Sequence, residues 1–276
     1  YYVCGDVRIG SASVPATGDV RVARIEAHTS DTVNIGGNHN GPAPGDVSIY
    51  GAGDVLIEDA AGSLGIIRAT ANNVWPRDTR HGNVTMAHDG SFAANQILTY
   101  SQGHVYGGRS DAGHVVLNGD LQDDGPSGDC RVNLIDTRYH NGYYAVRKSG
   151  NITVSGYQNV TLGTLRTYCN RNTGAANDDA GDVTVRDIEQ HIEITGTIDL
   201  RSVESDVSYY GSLSLTCGET ITLGSLNANL MREILFSVHE GNGRLWHWAW
   251  IKSEPVGLTT AGAEVSGFAS VDSHVY

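Results

Sequence analysis

Two acidic clusters come closest, by residue type and spacing, to a site that does chemistry. Gln122-Asp123-Asp124 sets two carboxylates side by side, and paired carboxylates can act as acid and base across a glycosidic bond. The surroundings argue against that use. No Asn-Thr-Asp precedes the pair, Gly103-His104 and Gly113-His114 come before it rather than after it, and Gly125-Pro126 follows directly. Asp123 and Asp124 therefore read as turn residues. Asp178-Asp179 with Asp182 falls on an expected long loop from Tyr168 to Ala180. Oxygen ligands at that density suit calcium, but the spacing fits no calcium-binding loop, and a solvated loop is the expectation.

The eleven histidines include no i, i+4 pair of the helical zinc kind. His114 and His191 stand instead at corner positions that carry Asp or Asn elsewhere in the chain. No serine lies in a Gly-x-Ser-x-Gly elbow. No catalytic residue, metal ligand or cofactor is assigned, and an enzyme is not the expected class.

Aromatic residues are the stronger functional signal. Trp75, Tyr100, Tyr106, Tyr139, Tyr143, Tyr144, Tyr168, Tyr209 and Tyr210 all fall in matching segments of a repeat, so they should gather along one edge of the molecule. Such a row either stacks on sugar rings, contacts a protein partner, or packs loops onto the body. Trp75, Tyr106, Tyr139, Tyr143, Tyr168 and Tyr209 are the candidates for glycan or partner contact. A second group lies in Leu245-Trp246-His247-Trp248-Ala249-Trp250-Ile251, where alternation puts Trp246, Trp248 and Trp250 on one face of a strand. That much apolar surface must be covered, by the end of this molecule or by a neighbour.

The elements that position these residues follow from a repeated phrase. A glycine, a small polar residue and two branched or aliphatic residues flanking a variable one recur as Gly5-Asp6-Val7-Arg8-Ile9, Gly45-Asp46-Val47-Ser48-Ile49 and Gly82-Asn83-Val84-Thr85-Met86. The phrase continues at Gly113, Gly150, Gly181 and Gly211, at spacings of 40, 37, 31, 37, 31 and 30 residues. A second apolar line follows each glycine: Val20, Val22, Ile25; Val55, Ile57, Ala60; Phe92, Ala94, Ile97; Cys130, Val132, Ile135; Val160, Leu162, Leu165; Ile192, Ile194, Ile198 with one extra residue; Ile221, Leu223, Leu226. Alternation over four or five positions marks strands with one buried face. A looser third strand is read at Thr32 to Ile35, Gly65 to Arg68, His104 to Tyr106, Tyr143 to Val146, Val207 to Tyr209 and Glu233 to Val238. The expected fold is all-β, a right-handed parallel β-helix of about seven three-stranded coils over residues 1–240. Residues 241–276 form a C-terminal β segment for capping or assembly. Stacked repeats bury what one repeat cannot, and like residues form ladders. The repeat glycine is expected to supply a positive-φ turn, and the Asp or Asn after it to bond its own backbone two residues on.

Gly150-Asn151-Ile152-Thr153-Val154, followed by Asn159-Val160-Thr161-Leu162-Gly163-Thr164-Leu165, resembles the repeats of secreted bacterial right-handed β-helix proteins of the filamentous-haemagglutinin and autotransporter-passenger group. The resemblance covers most of residues 5 to 228 and implies an exported protein serving adhesion or scaffolding.

Composition agrees with that class. Thirty-five glycines and two lysines against sixteen arginines fit a turn-rich β protein, and a net charge of −13 argues against a nucleic-acid partner. No apolar run reaches the length of a membrane span. The chain opens on Tyr1-Tyr2-Val3 without a methionine, read here as a trimmed, exported chain. The four cysteines share no corner on adjacent coils, so intrachain disulfides are not expected. Unpaired strand edges at the ends of a β-helix template association. Tyr1, Tyr2, Trp246, Trp248 and Trp250 are therefore the candidate assembly residues. The expected function is an extracellular structural subunit that polymerises with copies of itself, head to tail, into a filament or surface matrix. The alternative is a carbohydrate-binding or polysaccharide-cleaving β-helix that meets cell-surface glycans.

Overall fold

A computed structural model describes residues 5–28, 44–72, 78–79, 82–102, 109–143, 146–173, 178–200, 211–227, 233–239, 245–251 and 265–266. Among them the secondary structure is all strand and turn, with no helix. The strands that open each repeat stack in parallel, with Val7 opposite Val47, Val47 opposite Val84, Val84 opposite Val115 and Val115 opposite Ile152. The column continues through Val183 and Leu213 to Ile234. A second parallel ladder joins Val20, Val55, Phe92, Cys130, Val160, Ile192 and Ile221. The result is an all-β stack of parallel strands, consistent with a β-solenoid.

Alternation accounts for the core. Val47, Val84, Val115, Ile152, Val183 and Leu213 are each 0% exposed, and each such side chain contributes on the order of 2 kcal/mol by leaving water. The column that ends the second line is Ile25, Ile67, Ile97, Ile135, Leu165, Ile198 and Leu226. Ile67 holds the place expected for Ala60, which is exposed. An excursion closed by the Glu58–Leu64 bridge, turning at Gly62 with φ 78°, pushes the inward residue later in the chain. The extra residue before Ile198 is absorbed by a register shift between Ile194 and Thr197.

Beyond the two main ladders the repeats add two short ones. Ala71–Asn72, Ser101–Gln102, Tyr139–Tyr143 and Cys169–Thr173 form one, and Asp78–Thr79, Arg109–Asp111, Val146–Lys148 and Asp178–Asp179 the other. The segment from Tyr168 to Ala180 thus contains strand where a loop was expected. Glu233–His239, expected as a third strand, is instead a further rung of the first ladder. The expected third strands at Thr32 to Ile35, His104 to Tyr106 and Val207 to Tyr209 lie outside the described residues.

The repeat glycines are needed for a different reason from the one expected. None of Gly45, Gly82, Gly113, Gly150, Gly181 and Gly211 has a positive φ. A Cβ on any of them would run into the carbonyl of the glycine one repeat earlier. They are small because successive backbones touch there.

The polar residue after each glycine stitches the repeats together. Asp6 Oδ1 accepts the Asp46 N–H at 3.0 Å, Asp46 Oδ1 the Asn83 N–H at 2.7 Å and Asn83 Oδ1 the His114 N–H at 2.9 Å. His114 Nδ1 accepts from Asn151 N–H at 2.9 Å, Asn151 Oδ1 from Asp182 N–H at 3.0 Å and Asp182 Oδ1 from Ser212 N–H at 2.8 Å. The bonds run to the next repeat, not to the residue's own turn. Buried threonines close the other side: Thr99, Thr137 and Thr167 donate to the carbonyls of Gly113, Gly150 and Gly181 at 2.6, 2.6 and 2.8 Å.

Candidate functional site

The described stack has two ends and, across three of its repeats, a tyrosine–arginine cluster. At the first end, the strand Val7–Ile9 is paired along one side, to Val47–Gly51. In a parallel ladder a residue's two backbone groups point the same way and alternate along the strand. Val7 N–H bonds Asp46 O at 2.8 Å, so the N–H and C=O of Arg8 point outward. The Arg8 side chain lies over Asp6, with Nη2 2.7 Å from Oδ2. Tyr1 and Tyr2 lie outside the described residues.

At the other end the chain turns back. Leu245–Ile251, carrying Trp246, Trp248 and Trp250, pairs antiparallel with Glu233–His239 of the same chain. Trp250 stands opposite Ile234, Trp248 opposite Phe236 and Trp246 opposite Val238. Those partners are in register with Leu213, Leu215 and Cys217, which are buried in the core. The tryptophan positions therefore continue the core columns by register. Val265–Ser266 adds to Thr220–Asn227 and extends the second ladder. Leu245–Ile251 and Val265–Ser266 thus pair with their own body, and among the described pairings Leu245–Ile251 keeps one edge unpaired.

Three successive repeats place Tyr100, Arg138 and Tyr168 beside one another. The Arg138 guanidinium lies 5.5 Å from the centroid of each ring and donates from Nη1 to Tyr168 Oη at 2.6 Å. This cation–π stack is tied down by Asp136, whose Oδ2 is 3.3 Å from Arg138 Nε and 3.7 Å from Arg166 Nη1. Burial pushes the Asp136 carboxyl up, and the two arginines pull it back. Tyr139 is fully buried, which removes its ring from any exposed row. Tyr143 ends the strand that Tyr139 begins. Trp75, Tyr106 and Tyr209 lie outside the described residues. The arginine in this stack carries no signal in the sequence, because it meets its tyrosines only across repeats.

The acidic candidates separate. Asp123, with φ 58°, sits in the turn expected of it. Asp124 meets Asp89 and Asp120, one oxygen of each lying within 4.8 Å of the others. These carboxylates already fold the loop: Asp89 accepts Gln122 N–H at 3.0 Å and Gln122 Nε2 at 2.7 Å, and Asp120 Oδ1 accepts the N–H groups of Asp124 and Gly125 at 2.9 and 3.2 Å. Asp182 is a member of the corner ladder, and Asp178–Asp179 is a strand. Cys130 and Cys217 are buried thiols, Cys217 pushed up to about 11 by burial. Neither has the lowered pKa of a nucleophile. No helix among the described residues is long and apolar enough to cross a membrane.

What the geometry defines is a class, an all-β stack stitched by side chains between repeats. No protein-family model, no curated protein and no solved structure matches the chain.

Proposed function

We propose that this chain is an extracellular structural subunit, a right-handed parallel β-helix of about seven coils that assembles end to end with copies of itself. One observation carries this reading. Among the described residues, the first ladder begins with Val7–Ile9 and ends with Leu245–Ile251, and each of these strands is hydrogen-bonded on one side only. Free strand edges at both ends of a stack are templates for each other. A contact between unlike ends is heterologous and grows an open filament. At such a junction Leu245–Ile251 would meet Val7–Ile9 of the next copy antiparallel, bringing Trp246, Trp248 and Trp250 beside the joint. The body supports a mechanical role, since its corner Asp, Asn and His side chains are spent on holding repeats together. Export and a surface location rest on the resemblance of the repeat phrase.

The test is Arg8→Pro. Proline removes the outward N–H and is tolerated on an edge strand, while Val7 keeps its bond to Asp46. By negative-stain microscopy and sedimentation, the parent chain should form filaments or end-on oligomers and the variant should remain single folded rods. Assembly by the variant equal to that of the parent, or a parent that stays monodisperse at all concentrations, refutes the proposal.

A further inference from the structure

Among the described residues the core holds one histidine, and the stacking ladders do not explain it. His88 ends the strand Val84–His88 and is 0% exposed. Its Nε2 lies 2.9 Å from Tyr157 Oη although 69 residues separate them. The two rings meet, with centroids 5.6 Å apart at 54°, and Phe92 flanks the imidazole at 6.0 Å. The intervening repeat makes room by having Gly119 at this corner. A Cβ there would stand 2.6 Å from the Tyr157 ring.

The tautomer follows from the backbone. Gly90 N–H points at His88 Nδ1, 3.3 Å away, so Nδ1 carries the lone pair and Nε2–H donates to Tyr157. The same corner anchors the excursion from Gly119 to Asp129. Leu121 N–H bonds the His88 carbonyl at 3.2 Å, Ser127 N–H bonds Gly156 O at 3.1 Å, and Gln122 grips Asp89 by two bonds. This loop turns through positive-φ backbone at Asp123 (φ 58°), Gly125 (φ 115°) and Gly128 (φ 63°), a conformation that costs the two glycines nothing.

We propose that His88 is an acid-operated latch on the Gly119–Asp129 loop. Neutral imidazole accepts from Gly90 and donates to Tyr157, joining the Gly82 and Gly150 repeats across the one between them. A proton on Nδ1 turns that acceptor into a second donor facing the Gly90 N–H and puts a cation in a buried site beside Phe92 and Tyr157. The carboxylates of Asp89 and Asp54 lie just outside and draw the charged ring toward them, and Asp120 and Asp124 add to the negative charge of the same corner. The ring leaves Tyr157, and the loop that bonds to the His88 carbonyl and to Asp89 opens with it. Burial holds the His88 pKa down to about 4 against the pull of Asp89 and Asp54, which sets the opening in moderately acidic solution.

Histidine ring NMR and amide hydrogen exchange on the whole chain, at pH 7, 5 and 4, test the latch. His88 should titrate far below a free histidine. Protection factors at Leu121 and Gln122 should fall at least tenfold between pH 7 and 4 and end well below those of Ile152 and Ile194, which follow only the global stability. His88→Gln, neutral at every pH, should abolish that dependence. Tyr157→Phe, which removes the Nε2 partner, should move the opening to higher pH, and it stands as the test if His88→Gln does not fold. Unchanged loop protection in the parent, loop amides that exchange only as fast as those of the core at pH 4, or the same acid response in the variants overturns the proposal.

Discussion

Replacing Gly150 by alanine measures the close stacking of repeats directly. The new Cβ would stand 2.6 Å from the Gly113 carbonyl carbon and closer still to its oxygen. The obstacle is backbone held in a ladder, so it cannot rotate away as a side chain would. Overpacking of this kind costs about 1–3 kcal/mol, and a rigid neighbour puts the cost near the top, about 3 kcal/mol. The lost flexibility of the unfolded chain returns about 0.4–1 kcal/mol, leaving a net loss of roughly 2 kcal/mol. With an unfolding entropy of about 2.1 cal/mol/K per residue, that lowers the melting temperature of this chain by about 3–4 °C. Gly5→Ala is the internal control: the same motif position, no positive φ, and nothing described within 4 Å of its Cβ. It should be neutral or slightly stabilising. Thermal unfolding of both variants, at a concentration where the chain is monomeric, decides the matter. Equal destabilisation by the two alanines, or a neutral Gly150→Ala, would refute carbonyl contact as the reason for the glycine column.

Thr137→Val should cost about 1–2 kcal/mol, because it removes the buried donor to Gly150 O at 2.6 Å. Thr70→Val should be neutral or stabilising, since the buried Thr70 hydroxyl has no hydrogen-bond partner among the described residues; denaturant melts compare the two. Ile152→Asp should abolish cooperative unfolding by placing an unpaired charge in a fully buried column. Folding depresses the His88 pKa from 6.5 to about 4, so the unfolded chain takes up the proton first as pH falls. The His88 contribution is therefore complete above pH 6.5, declines by about 1.4 kcal/mol per unit below it, and is spent, at about 3 kcal/mol in all, near pH 4. Subtracting the stability–pH profile of His88→Gln from that of the parent should isolate this slope, and a flat difference would contradict it. Truncation after residue 240 should expose the edge of Glu233–His239 and cause aggregation measurable by light scattering, whereas soluble, monodisperse rods would show that Leu245–Ile251 is not needed to cover it.

Alternation alone made the inward columns legible. Val47, Val84, Val115, Ile152 and Val183 can be read straight from the chain, because which face a strand residue occupies is a local property with period two. The second line was equally readable except at Ala60, where an excursion of the backbone moved the inward position to Ile67. Partners across the stack were not legible in the same way. That the repeat glycines touch carbonyls, that Asp46 and Asn151 serve the next repeat rather than their own turn, and that Arg138 lies between Tyr100 and Tyr168 all depend on how loops of unequal length bring repeats into register. His88 and Tyr157 show the limit most plainly: they meet because a glycine sits between them in the stack, and no spacing along the chain records that vacancy. The antiparallel return of Leu245–Ile251 belongs to the same class. Its alternating tryptophans announced a strand with one apolar face, but the strand it joins is chosen by the exposed edge left where the parallel ladder ends.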